Sequence, residues 1–163
     1  MAGVVTTDGW YSLPPDVARW LTQAQHEGVF ACTTHVFRYA NQAMASLFGF
    51  SAVDSLMRVA PSQLYADETD QKRLLEKLRE ESCVIDYRLL FRKQNGENFW
   101  GSVRMVRSSD HQSDLVAGVV TDITKAVKAE EKIKELQHLQ RKKSDELDRF
   151  IYSASHDLKA PVN

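Results

Sequence analysis

Phe91-Arg92-Lys93-Gln94-Asn95-Gly96-Glu97-Asn98-Phe99-Trp100 is the stretch whose reading decides the fold of this 163-residue chain. Asn95-Gly96 is its strongest short hairpin signal, since both central positions of a type I′ turn need positive φ. Upstream, Ile85, Tyr87, Leu89 and Phe91 alternate with Asp86, Arg88, Leu90 and Arg92, the period of a half-buried strand. Downstream, residues 99–107 return as the next strand, and the polar stretch 108–114 turns into a third over 115–123. The centre of the chain therefore reads as a three-strand meander.

Working outward, residues 29–33 and 36–40 are short, aromatic and β-branched, and predict two more strands. Ala43, Met44 and Leu47 fall at helical spacing over 41–48, and Gly49 suits a left-handed cap. Residues 67–81 predict a polar helix with Leu74, Leu75 and Leu78 facing inward. Two strands, small helices and a meander make an α+β fold: a five-stranded antiparallel sheet with helices on one face.

Composition bounds the function. A net charge of -1 argues against a nucleic-acid protein, and 43% hydrophobic residues support a packed core. No apolar run approaches the roughly 20 residues that span a bilayer, and no basic-then-apolar leader opens the chain. Cys32 and Cys83 stand alone, so neither a disulfide framework nor a zinc site is indicated, and a cytoplasmic, reducing setting is expected. The first 26 residues carry an amphipathic helix pattern: Pro14-Pro15-Asp16 as its start, then Val17, Trp20, Leu21 and Ala24 as one apolar stripe. That stripe suits packing on its own domain or pairing with a second copy.

Tyr39-Ala40-Asn41-Gln42-Ala43, Leu47-Phe48-Gly49-Phe50-Ser51, the 91–100 hairpin and Asp122-Ile123-Thr124 occur in the order seen in the PAS domain. The chain resembles that family over residues 20–124, and its sensor domain is expected over 27–124. The resemblance implies a site for a small molecule between sheet and helices. Tyr39, Tyr87, Phe91, Trp100 and Met105 are the candidate lining, although aromatics on a sheet face are also ordinary core. Flavin is not expected: Ala60 stands where the photosensor branch has its cysteine, and Cys83 lies too late. Haem is not expected either, because residues 67–81 contain no histidine and His26 and His35 read as ordinary polar residues.

Beyond Thr124 the period changes again. Ala126, Ala129, Ile133, Leu136, Gln140, Lys143, Leu147, Phe150 and Ala154 are separated by alternating steps of three and four, a heptad seam. It predicts a coiled-coil helix over 125–149 and hence a homodimer; Gln140 and Lys143 weaken its middle. From Leu147 the apolar face broadens through Phe150, Ile151, Ala154 and Leu158, as a four-helix bundle requires. Residues 150–163 thus read as the start of a further dimerisation helix.

That helix carries His156, which lies roughly 200° from the seam residue Ala154 and so points to solvent. An exposed imidazole is a competent covalent nucleophile, and Asp157 beside it can orient the ring or take a proton. The run 150–162, Phe-Ile-Tyr-Ser-Ala-Ser-His-Asp-Leu-Lys-Ala-Pro-Val, resembles the phospho-acceptor box of two-component sensor histidine kinases. The resemblance implies that His156 carries the phosphoryl group, that Asp157 assists, and that a response-regulator receiver domain takes the phosphate. Ala160 stands where many members have threonine or asparagine, which puts phosphatase activity in doubt, and Pro161 is expected to kink the helix. No Gly-rich phosphate loop is present, so ATP and magnesium belong to a kinase domain outside these residues. The alternative reading is a stand-alone dimerisation module in which His156 is inert.

Overall fold

A computed structural model describes residues 27–108 and 114–159. The amphipathic stripe of 17–24, His26, most of the 108–114 turn, Ala160 and Pro161 lie outside the described residues. Strands β1 (Gly28–Cys32) and β2 (Phe37–Ala40) are followed by helices α1 (Gln42–Leu47) and α2 (Val53–Met57), a single 3-10 turn (Pro61–Leu64) and helix α3 (Glu68–Glu81). Strands β3 (Cys83–Arg92), β4 (Asn98–Arg107) and β5 (Val116–Asp122) come next, then the long helix α4 (Thr124–Lys159). The five strands form one sheet in the order β2-β1-β5-β4-β3, every pair antiparallel. The α+β class and the sheet read from the sequence are what the structure has.

Caps explain where the small helices begin. Asn41 Oδ1 accepts from the Met44 amide at 2.8 Å and from the Val29 amide at 2.9 Å, while Asn41 Nδ2 donates to the Glu27 carbonyl at 2.9 Å. One side chain thus starts α1 and fastens it to β1. Asp67 starts α3, accepting from the Thr69 amide and hydroxyl at 2.8 Å each, and these donors hold its carboxyl below the usual range. Gly49 closes the turn after α1 at φ 80.

Two features of the meander differ from expectation. Of Asn95 and Gly96 only Gly96 has positive φ, 88, so the turn is not type I′. The Gly96 amide donates to the Lys93 carbonyl at 3.0 Å and the Lys93 amide to the Glu97 carbonyl at 2.8 Å. This is a three-residue loop with Gly96 as the bulge, and Asn95 Oδ1 accepts from the Glu97 amide at 3.0 Å instead of supplying a left-handed backbone. The second difference is a bulge between Val84 and Tyr87, with Asp86 at φ 52. One extra residue reverses which side chains face inward, so Val84 is buried and Ile85 is 69% exposed, contrary to its place in the alternating pattern.

Helices α1, α2 and α3 all pack on one face. Met44, Leu56, Leu74 and Leu78 join Phe30, Phe91, Val103 and Val120 of the sheet in the main core. Each such side chain stabilises by roughly 1.5–3 kcal/mol. On the other face Val29, Ala31, Val106, Ala117 and Val119 form a second buried cluster, with Tyr39 and Leu115 half-buried against it. The chain divides into two compact units, one through Thr124 and one from Lys125 onward. No described helix is long and apolar enough to cross a membrane.

Candidate functional site

A cavity of about 20 Å³ lies within the main core, walled by Phe30 and Cys32 of β1, Phe37, Met44, Phe48, Tyr65 and Phe91 among others. Its shape follows from ring packing. Phe48 meets Phe91 and Phe99 edge-on, at centroid distances of 5.5 Å and 5.1 Å, and Phe91 stacks on Phe99 at 5.6 Å. Tyr65 is placed by a bridge to Phe91 and by the Ala66 amide donating to the Leu90 carbonyl at 2.9 Å. Burial pushes the Cys32 thiol up to about 12, with the nearby Asp114 carboxylate adding to the effect. The Tyr65 phenol is also pushed up, by burial first and then by Cys32 and Asp70. Both groups are therefore neutral at pH 7, and the cavity presents no charge.

Of the five expected lining residues, Phe91 lines the cavity. Met105 and Tyr87 pack in the same core but do not reach the cavity. Tyr39 packs against the second cluster on the opposite face. Trp100 lies between the inward Phe99 and Gly101, so strand alternation turns it to that face as well. The expectation that all five share one pocket is corrected: the strand register separates Tyr39 and Trp100 from the rest. Cys32 and Tyr65 were missed. Tyr65 sits in an irregular segment between the 3-10 turn and α3, where periodicity carries no signal.

A flavin does not fit this cavity, which has room for about one water molecule. Its only sulfhydryl, Cys32, is on β1, and Ala60 precedes the 3-10 turn. The histidine that a haem would need is not in its walls: α3 has none and His35 is exposed. Among the described residues no cluster of three His, Cys, Asp or Glu could hold a metal ion.

At the exit from the sheet, Asp122 Oδ1 accepts from the Thr124 amide at 2.8 Å, and Thr124 Oγ1 accepts from the Trp100 amide at 3.0 Å. The Ile123 amide donates to the Trp100 carbonyl at 2.8 Å. One residue earlier, Thr121 donates to Glu27 Oε1 at 2.9 Å, and Arg104 Nη2 lies 3.3 Å from the same oxygen. The start of α4 is thus held by bonds to β4, and the residue before Asp122 is bonded to the segment that leads into β1.

Helix α4 runs 36 residues without a break. Beyond the buried Val127 its large apolar side chains are exposed: Ile133 57%, Leu136 53%, Leu147 57%, Phe150 69% and Leu158 87%. His156 and Asp157 are also exposed, with Nδ1 of His156 4.0 Å from Oδ1 of Asp157. Tyr152, one turn earlier, places its ring centroid 6.5 Å from that of His156. The imidazole is open to an approaching molecule, and its Nδ1 edge is beside a carboxylate.

A family model of the PAS domain matches residues 26–125. The chain belongs to the PAS domain family. Among solved structures of the same fold is a PAS domain from a two-component sensor histidine kinase, 17% identical, with 66% of this chain and 94% of that one covered at a TM-score of 0.53. The LOV domain of a blue-light activated histidine kinase from Erythrobacter litoralis is 18% identical, covering 60% and 96% at 0.51. The PAS domain of the fruit-fly ELK potassium channel is 17% identical, covering 67% and 96% at 0.51. These likenesses show the fold. A search of curated proteins finds no match.

Proposed function

We propose that the chain is the sensory and acceptor portion of a two-component histidine kinase: a PAS input domain joined through a dimeric coiled coil to the phospho-acceptor His156. The observation that supports it best is that one unbroken helix starts at the sheet exit, carries the heptad seam and presents exposed His156 and Asp157. In the transfer, an imidazole nitrogen of His156 attacks the γ-phosphorus of ATP held with magnesium by a separate kinase domain. The new N–P bond forms as the P–O bond to ADP breaks, and the imidazole proton passes to Asp157 or water. A receiver domain of a response regulator then takes the phosphoryl group. Signals reach the helix through its covalent and hydrogen-bonded junction at Asp122 and Thr124, by biasing the helix pair between two packings.

The test is phosphorylation in trans. With an added kinase ATP-binding domain, ATP and magnesium, the chain is expected to gain an acid-labile phosphate that His156→Gln lacks; alone with ATP it gains none. If His156 stays unmodified with active kinase domains, the domain acts as a stand-alone interaction module instead.

A further inference from the structure

Tyr152 has no place in the helix seam. It is two residues from both Phe150 and Ala154, so it lies roughly 200° from each around the axis. Its side chain is 74% exposed. Four residues separate it from His156, the spacing that brings side chains of successive turns together. The two rings lie 6.5 Å apart at their centroids with planes inclined by 32°. Asp157, the next residue, stands 4.0 Å from Nδ1. His138, exposed on the same helix, has Lys134 at the corresponding earlier position and no ring beside it.

We propose that Tyr152 is a positioning residue for His156, a role that rests on the acceptor reading above. Its ring flanks the imidazole from one turn earlier and restricts it to orientations that keep the attacking nitrogen outward. Phosphoryl transfer needs that nitrogen in line with the bond that breaks, so a ring already held loses less freedom on reaching the transition state. The aromatic ring does this, not the hydroxyl, because it is the two rings that the helix sets side by side.

Two readouts on the whole chain test it. In proton NMR the His156 ring protons are expected to be displaced by the Tyr152 ring current relative to those of His138. Tyr152→Leu removes that displacement and Tyr152→Phe retains it. In transfer from an added kinase domain with ATP and magnesium, Tyr152→Leu lowers kcat about fivefold, the size of a ring–ring contact, with KM unchanged. Tyr152→Phe stays near wild type. Identical His156 and His138 shifts in the wild type overturn the proposal, as does a Tyr152→Leu chain that is phosphorylated like the wild type. A wild-type chain that takes no phosphate from an active kinase domain overturns the acceptor reading together with this one. Labelling of the wild type and of Tyr152→Leu at equal rates overturns this one alone.

Discussion

The sheet domain and helix α4 treat the same kinds of side chain in opposite ways. Phe48 and Leu74 are 0% exposed, whereas Phe150 is 69% exposed and Leu136 53%. In the domain, residues far apart in sequence supply one another with cover, so its core closes within the chain. Along α4, apolar residues recur every three or four positions and meet nothing on their own helix. An isolated helix gains little from intrinsic propensity, so such a stripe points to cover from another helix. The difference separates a part whose core closes on itself from a part that, on the reading proposed above, is completed by association.

The largest effect expected from breaking this contrast is in the domain core. Phe48→Ala removes a ring that meets both Phe91 and Phe99. It should lower unfolding stability by about 3–5 kcal/mol in a denaturant titration. Phe150→Ala, the same change on α4, should leave the domain's transition in place and weaken self-association instead. Next comes Asn41→Ala, which removes the cap of α1 together with its bonds to Val29 and Glu27. A loss of about 2 kcal/mol is expected by the same titration.

A further effect depends on pH and grows across its window. Burial raises the Cys32 thiol from 9.0 to about 12, so the unfolded chain loses this proton at a lower pH than the folded one. Stability from this group is complete below pH 9 and is lost as pH rises toward 12, by about 1.4 kcal/mol per unit in that window. Cys32→Ala should remove that slope between pH 9 and 10, above which the raised Tyr65 phenol contributes a slope of its own. At pH 8 the exposed Cys83 should alkylate promptly while Cys32 reacts only on opening, a difference that mass spectrometry reads directly.

Much of this contrast was legible in the sequence, because period-two and heptad patterns are local. Elements and their order followed from them, including the helix that starts beyond Ile123. What the sequence did not disclose depends on single-residue register. Ile85 fits the inward alternation of its strand, yet one extra residue at Asp86 turns it out and turns Val84 in. Tyr39 and Trp100 likewise read as pocket residues, but which face a strand residue takes is set by pairing partners: Tyr39 opposes Ala31 of the outer cluster. Asn95 was read as a left-handed turn residue and instead spends its side chain on the Glu97 amide. The cavity, formed where irregular Tyr65 crosses Phe91, leaves no periodic trace. His156 stood out because a nucleophile and an acid are adjacent in sequence and off the seam, and helix geometry alone predicts their exposure.

The claim that unites the two parts is that His156 is carried on a paired helix. Sedimentation velocity of the whole chain at micromolar concentration tests it most directly, alongside Leu136→Asp and Leu147→Asp. The account predicts a dimer for the wild type and monomers with an intact sheet domain for both variants. A wild-type monomer, or a dimer that survives both substitutions, would contradict it.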